Sequence, residues 1–271
     1  MSLIESGTPQ PPYTTLADEI LTADDGGEYG FSNDTPFPAS LAAAIRTIWT
    51  DSGIQYCYSR RTEFQLPDAC AYILNDIDRI TDPGYVPTEE DILQTRVITL
   101  GVTETKLMVE GTPYRIFDFG GQRAERKKWA GYFEDVSTVL FLVALSAYDQ
   151  VLYEDSRANR MIESLNVFSS LVNHPIFKKT GFILFLNKID LFKEKLPYSP
   201  IITYFPDFTE ANTYENGSRY FIKRFQALNQ FKSRPIYIHL TWATDRSQIS
   251  VILKAVHAII IKANLQLAGF T

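Results

Sequence analysis

The chain of 271 residues is 45% hydrophobic and 21% charged, with 26 Lys and Arg against 32 Asp and Glu. Its net charge of −6 gives no reason to expect a nucleic acid or an anionic membrane as the main partner, so we expect no nucleic-acid binding. The two cysteines, Cys57 and Cys70, match neither a zinc pair nor a redox motif, which favours a reducing compartment.

No apolar run reaches the ~18 to 20 residues that a membrane-spanning helix needs. The start of the chain, Met1-Ser2, has no Gly at position 2 for myristoylation, and neither cysteine lies near a terminus, so we expect no lipid anchor signal. A cytoplasmic protein is therefore expected.

The first part of the chain is predicted to be helical after a loose tail. Residues 1–38 are rich in Pro, Gly and acidic residues, which predicts the tail. Apolar residues at helical spacing then predict a helix with Ser40 as its N-cap, and a second helix at 68–79. Residues 88–91, Thr-Glu-Glu-Asp, have the form of a capping box that opens a short third helix.

After Thr95 the pattern changes to strands. Val102 to Val109 and Tyr114 to Phe119 flank a turn sequence and predict a hairpin. Strands are then predicted at 138–145, 181–186 and 236–241, followed by helices at 157–173, 217–231 and 247–264. Such alternation predicts an α/β fold with a mostly parallel sheet covered on both faces, whose ligands bind at the carboxyl ends of the strands.

Asp118, Gly121 and Gln122 follow directly on a predicted strand, in the sequence DFGGQ. A carboxylate at that place can hold Mg²⁺ through water. Gly121 can offer its N–H to a terminal phosphate because a residue without Cβ lets the main chain approach closely, and Gln122 can orient a water. A Gly-Gly turn that only caps a hairpin is the alternative interpretation.

A second candidate motif, Asn187-Lys188-Ile189-Asp190, follows the apolar strand at 181–186. A carboxylate at Asp190 can accept two hydrogen bonds from the N1–H and amino group of guanine, whereas adenine offers no matching donor pair. A polar helix start is the alternative. Residues 241–244 follow the last predicted strand, where a backbone N–H can meet the base carbonyl.

Arg96 and Thr99 lie on the connection between the helical part and the hairpin. An arginine there can neutralise the charge that builds up on a transferring phosphoryl group, and a threonine can coordinate Mg²⁺. A lone arginine on a loop is otherwise a solvated surface group.

Together these stretches resemble the alpha subunits of heterotrimeric G proteins, from about Ser40 to Thr271. The stretches that carry the resemblance are TRVITLG at 95–101, DFGGQRAERKKW at 118–129, VALS at 143–146, FLNKIDL at 185–191 and ATD at 243–245. The resemblance implies a Ras-like P-loop GTPase sheet with an inserted, partial all-α helical domain. It divides the chain into a tail (1–38), a remnant of the helical domain (39–94) and the GTPase domain (95–271).

The resemblance also implies roles for single residues. Arg96 and Gln122 would be catalytic, as arginine finger and water-positioning residue, and Thr99 and Asp118 (through water) would hold Mg²⁺. The implied nucleotide-binding residues, for GTP and GDP, are Asp68, Leu93, Gln94, Thr95, Arg96, Thr99, Asp118, Gly121, Gln122, Asn187, Lys188, Asp190 and Ala243. Residues 123–129 would form the switch helix.

As a member of that family the chain would be a guanine nucleotide-binding signal transducer that couples a membrane receptor to effectors by GTP binding and hydrolysis. The implied partners are the beta-gamma dimer, a G protein-coupled receptor that meets the C-terminal helix, and a downstream effector. Through these partners we expect the chain to reach the cytoplasmic face of the plasma membrane.

One family motif, the phosphate-binding loop GxxxxGK[ST], is not found, and none of the 14 glycines is followed by Lys. We therefore expect these 271 residues to lack the family's first strand, which would lie between the strands at 114–119 and 138–145 and whose loss leaves two strand edges unpaired or re-paired. This departure keeps an alternative function open, that of a non-hydrolysing interaction protein that uses the switch helix and the C-terminal helix.

Overall fold

The computed structural model describes residues 37–64, 66–95, 99–134, 136–232, 234–242, 253–254, 256–261 and 265. The chain divides into two compact units, Met1–Arg96 and Val97–Thr271. Most of the expected tail, residues 1–36, lies outside the described residues. Among the described residues, no helix combines the length and the apolar character needed to cross a bilayer.

The first unit contains five described α-helices. They are α1 (Ala39–Trp49), α2 (Ser52–Ser59), α3 (Cys70–Asn75), α4 (Ile77–Ile80) and α5 (Glu89–Gln94). A small apolar core is formed by Leu41, Ala42 and Ala44 of α1, with Trp49 and Ile77. The indole Nε1 of Trp49 donates to Asn75 Oδ1 at 2.7 Å and so joins α1 to α3.

Two predicted helix boundaries in this unit are wrong. Ser40 lies inside α1, and the N-cap is Pro38, whose carbonyl accepts from Ala42 N–H at 3.0 Å. The single helix predicted at 68–79 is broken at Asp76, which has φ −105° and ψ 21°. The break coincides with a bond from Arg79 to the Asp76 carboxylate at 2.8 Å.

The capping box at the start of α5 is confirmed. Thr88 Oγ1 accepts from Asp91 N–H, and the Asp91 carboxylate accepts from Thr88 N–H. Asp91 is buried, and it also accepts from Arg79 and Tyr72. These bonds, first of all those from Arg79, hold the pKa of Asp91 well below its usual range, so the carboxylate stays charged and keeps α5 in place.

In the second unit a hairpin is formed by β1 (Val102–Val109) and β2 (Thr112–Phe119). Its turn is two residues long, with positive φ at Glu110 (49°) and Gly111 (78°), as the tight turns that match strand twist require. The predicted turn was wider. Pro113 instead pairs with Met108 in the ladder, because β2 is an edge strand, where a residue without an N–H is tolerated.

The rest of the second unit is built on a parallel three-stranded sheet. Its strands are β3 (Thr138–Ala144), β4 (Gly181–Asn187) and β5 (Ile236–Leu240), in the order β3-β4-β5. The connecting helices are α6 (Arg160–Val172), α7 (Ile189–Lys195) and α8 (Tyr214–Ala227). The core packed between them includes Val143, Leu165, Phe168, Phe182, Leu184, Phe192, Phe221 and Phe225.

The start of α8 differs from the prediction by three residues. The predicted helix begins at Gly217, whereas Thr213 caps the observed helix by accepting from Asn216 N–H at 3.3 Å. Gly217 lies within the first turn, where an added Cβ would come within 2.6 Å of Ile201 and 2.9 Å of Phe192. Gly217 is therefore a site of close packing and not the first residue of the helix.

The predicted α/β fold with a parallel sheet is confirmed by β3, β4 and β5, and within the described residues β2 and β3 belong to separate sheets and do not pair with each other. One face of the parallel sheet packs on α6 and α8. On the other face Ile183 and Phe185 pack with Val256 of the helical positions 253–254 and 256–261. Leu140 and Leu142 of β3 are 39% and 61% exposed, so this end of the sheet is only partly covered.

Candidate functional site

A hydrogen bond between the segment before β1 and the end of β2 brings the two predicted Mg²⁺ residues together. Asp118 is the penultimate residue of β2, and Thr99 Oγ1 donates to Asp118 Oδ2 at 3.3 Å. A hydroxyl and a carboxylate are hard oxygen ligands, the type that Mg²⁺ takes in proteins. Thr99 and Asp118 supply two such oxygen ligands, and the described residues contain no group of three or more His, Cys, Asp or Glu that could hold a metal.

Two adjacent glycines after β2 have different environments. An added Cβ on Gly120 would come within 2.5 Å of the Thr99 carbonyl oxygen, whereas one on Gly121 would meet nothing within 4 Å. Gly120 N–H donates to Gly101 O at 3.3 Å, and its carbonyl accepts from Trp129 Nε1 at 3.1 Å. Gly120 thus allows the chain to pass close to Thr99, and Gly121 lies in open space, as its predicted contact with a phosphate requires.

The helix predicted at 123–129 is not observed. The segment forms turns and two short 3₁₀ helices, Arg126–Lys128 and Ala130–Tyr132. Glu125 accepts from Gly101 N–H at 2.6 Å and from Lys128, and these bonds lower the pKa of its carboxylate, with the Lys128 bond as the main cause. Glu125 thus binds one residue outside the segment, Gly101, and one within it, Lys128.

Two arginines of this segment donate hydrogen bonds to one carboxylate of α6. Arg126 Nη1 donates to Glu163 Oε1 at 2.7 Å, and Arg123 donates to both oxygens of Glu163 at 3.1 Å. Arg123 also reaches Asp155 Oδ2 at 3.4 Å. The bonds from Arg123 and then Arg126 lower the pKa of Glu163 from 4.5 to about 2. Sequence reasoning missed Glu163, for which only the basic composition of 123–128 gives an indirect signal.

The second candidate motif is held by the end of β5. Thr241, which is 1% exposed, donates from Oγ1 to Asn187 Oδ1 at 3.0 Å. Its carbonyl accepts from Ile189 N–H at 3.3 Å, and its own N–H donates to Leu186 O at 2.9 Å. Lys188, between Asn187 and Ile189, has a left-handed backbone with φ 61° and ψ 43°, which turns the chain sharply from β4 into α7.

Asp190 lies in the first turn of α7. Its Oδ1 is buried and, within the residues that the structure describes, has no hydrogen-bond partner. A buried carboxylate oxygen without a donor is costly, and this one lies at the carboxyl end of a parallel strand, where the ligands of such sheets bind. The N1–H and amino group of guanine supply donors of the required kind.

The other predicted residues are placed as follows. Asp68 is exposed in the first unit, where Leu93 and Gln94 end α5 and Thr95 Oγ1 donates to Asp91 O at 2.8 Å. Gln122 follows the two glycines and is half-buried. Two predicted residues, Arg96 and Ala243, lie outside the described residues.

Polar side chains at the carboxyl ends of parallel strands are the arrangement of an α/β ligand-binding protein. Residues 5–260 match the family model described as "G-protein alpha subunit", and the chain belongs to this family.

Three similar proteins come from fungi. The chain is 49% identical over 232 residues to the "Guanine nucleotide-binding protein alpha-1 subunit" of Mycosarcoma maydis and 50% identical over 232 residues to the "G-protein complex alpha subunit gpaA" of Aspergillus fumigatus. It is 49% identical over 232 residues to the "Guanine nucleotide-binding protein alpha-1 subunit" of Neurospora crassa. Each alignment covers 86% of this chain and 66% of the relative, so the chain spans just under two thirds of the length of these relatives.

Proposed function

We propose that the chain is a guanine nucleotide-binding signal transducer of the alpha-subunit type, which couples a membrane receptor to effectors by binding and hydrolysing GTP. Membership of the family supports this function. The observation that carries it is the buried Oδ1 of Asp190, which lacks a donor among the described residues and to which guanine is proposed to supply one.

The proposed roles at the base end follow from hydrogen-bond chemistry. Asp190 accepts from the guanine N1–H and amino group, and Asn187, held by Thr241, lines the same edge of the sheet. Adenine would leave the Asp190 carboxylate without its donors, and an unpaired buried charge costs enough to exclude the wrong base. Ala243 follows by resemblance as the residue that meets the base carbonyl.

At the phosphate end, Thr99 and Asp118 are proposed to hold Mg²⁺, which when bound would neutralise charge on the phosphate oxygens. Gln122 is proposed to orient a water for attack on the terminal phosphorus, while the bond from that phosphorus to the bridging oxygen breaks and GDP and phosphate form. Arg96 is proposed to neutralise the charge that develops on the transferred group. By resemblance, Asp68, Leu93, Gln94, Thr95, Lys188 and Gly121 are also proposed to bind the nucleotide.

The proposed partners are the beta-gamma dimer, a G protein-coupled receptor at the C-terminal helix, and an effector. Binding to them would bring the chain to the cytoplasmic face of the plasma membrane. The relatives named "Guanine nucleotide-binding protein alpha-1 subunit" and "G-protein complex alpha subunit gpaA" are subunits by name, which supports the proposal of partner subunits.

The test is equilibrium binding of GDP and of a non-hydrolysable GTP analogue with Mg²⁺ to the purified 271-residue chain. ATP is the control ligand, and circular dichroism confirms folding. Guanine-specific binding at micromolar or better supports the proposal. A folded chain that binds neither guanine nucleotide contradicts it and favours the non-hydrolysing interaction protein.

A further inference from the structure

A buried ion pair lies at the far end of the helix that carries Asp190. Lys195 is the last residue of α7, and its Nζ donates to Asp149 Oδ1 at 2.6 Å and to the Ser146 carbonyl at 2.8 Å. The side chains of Lys195 and Asp149 are 9% and 0% exposed. Both acceptors belong to the 3₁₀ helix Leu145–Asp149, all of whose residues are buried and which continues directly from β3.

Such a pair is poorly explained by stability alone. Withdrawing two charges from water costs about as much as their attraction returns, so a well-packed apolar pair would often stabilise the fold equally well. Asp149 Oδ2 even lacks a partner among the described residues, which adds to the cost. Unlike an apolar contact, an ion pair with hydrogen bonds fixes the direction and the distance between the two side chains.

The same 3₁₀ helix holds α7 at a second point. The Tyr148 ring packs edge-on against Phe192 of α7 with 5.5 Å between centroids, and its hydroxyl donates to the Ser199 carbonyl just after the helix. At the other end of α7, Ile189 N–H donates to Thr241 O. The first turn of α7 is therefore bonded to the residue after β5, and its last residue is bonded to the 3₁₀ helix that follows β3.

We propose that Lys195 is a positioning residue for base recognition: through Asp149 it fixes the orientation of α7 and thereby the direction of the Asp190 carboxylate. The inference rests on the proposed function, in which Asp190 reads guanine. A helix of two turns has only a short packing face, and Lys195 lies about 7.5 Å along the axis from Asp190. Without the anchor, a tilt of the helix would turn the carboxylate away from its donors.

The variants are Lys195→Met and, as matched control, Lys193→Met. Lys193 lies on the same helix, but its Nζ lies over the Tyr214 ring at 4.3 Å and is exposed. Both variants remove one positive charge from α7, and only the first removes the bond to Asp149. A double variant, Lys195→Met with Asp149→Asn, removes the charge of both partners and so avoids an unpaired buried carboxylate.

The first measurement is hydrogen–deuterium exchange of the full chain without nucleotide. Exchange at residues 189–194 is expected to rise several-fold in Lys195→Met and in the double variant but not in Lys193→Met, while β4 stays protected in all three. Equal exchange at 189–194 in Lys195→Met and Lys193→Met would overturn the inference, whatever the chain binds.

The second measurement compares the affinities for GDP and IDP, which differ by the exocyclic amino group that Asp190 is proposed to bind. The preference for GDP is expected to fall roughly tenfold or more in Lys195→Met. The double variant is expected to regain thermal stability without regaining the preference, because its charges are balanced but its anchor is gone. Recovery of both would show that Lys195 acts only on stability and would overturn the inference.

A wild-type chain that binds GDP no better than IDP would overturn the base-reading role of Asp190, and with it the role of Lys195 in that reading. The hydrogen–deuterium exchange measurement needs no nucleotide, so it tests the bond between Lys195 and Asp149 separately from the base-reading role of Asp190.

Discussion

Arg126 joins the glycine turn after β2 to helix α6: its Nη1 donates to Glu163 Oε1 at 2.7 Å while its Nε donates to the Gly121 carbonyl at 3.2 Å. Because Glu163 also accepts from Arg123, one carboxylate on α6 fixes two positions of a segment that has little regular structure of its own. The conformation of residues 121–128 therefore depends on the charge of Glu163.

Glu163→Gln is expected to lower the free energy of unfolding by roughly 1 to 2 kcal/mol. The neutral amide weakens the bonds to both arginines, but these are partly exposed, which limits the loss. Urea unfolding measures the change. Glu210→Gln, which removes the charge of an exposed pair with Arg219 at 3.6 Å, is the control and should change little. Equal effects of the two substitutions would contradict the role of Glu163.

The contribution of Glu163 should depend on pH. Its pKa in the folded chain is about 2, below the ordinary 4.5, so the stabilisation is fully present above about pH 4.5 and is lost as the pH falls towards 2. The stability difference between wild type and Glu163→Gln should thus shrink across this window. Urea midpoints at several pH values measure it, and a constant difference down to pH ~2 would show that the carboxylate is not held by its arginines.

The two glycines after β2 should respond differently to alanine. Gly120→Ala is expected to cost roughly 1 to 3 kcal/mol, because its Cβ would overlap the Thr99 carbonyl, a backbone atom that moves only with its chain. Gly121→Ala, with open space around the added methyl group, is expected to be nearly neutral. Thermal or urea unfolding of the two variants measures the change in the free energy of unfolding. Equal costs would contradict the close approach of Gly120 to Thr99.

Asp190→Asn is expected to shift base preference from guanine towards xanthine, because an amide donor suits the xanthine carbonyl where guanine carries its amino group. We expect GDP affinity to fall roughly tenfold or more and XDP affinity to rise, as calorimetric titration would show. Asp207→Asn, which alters an exposed carboxylate bound by Tyr220, is the control. Unaltered guanine preference in Asp190→Asn would remove this residue from the base site.

The sequence predicts the fold where the determinants are local. The hairpin at 102–119, the capping box at Thr88 and the alternation of strands and helices all follow from short-range patterns, and each is observed. The 3₁₀ turns at 126–132 were not predicted, because the bond of Glu125 to Gly101 joins segments that are apart in the chain.

The same distinction applies to the candidate site. Motifs whose residues are consecutive, such as 118–122 and 187–190, are visible in the sequence. The residues that hold them, Glu163 for the first and Lys195 with Asp149 for the second, occur as ordinary charged residues of helices and turns. Only the folded chain shows that their charges face each other, because side-chain pairing across the core has no sequence period.

The two kinds of sheet also set an order of folding. The hairpin pairs residues close in sequence, as Val109 with Thr112, whereas the parallel sheet pairs residues separated by a whole helix, as Thr138 with Gly181. Local pairing closes on a timescale of about 1 to 10 μs, while long-range parallel pairing must first overcome the entropy of a large loop. The hairpin amides should therefore gain protection early in refolding, and assembly of β3 on β4 should set the rate for the second unit.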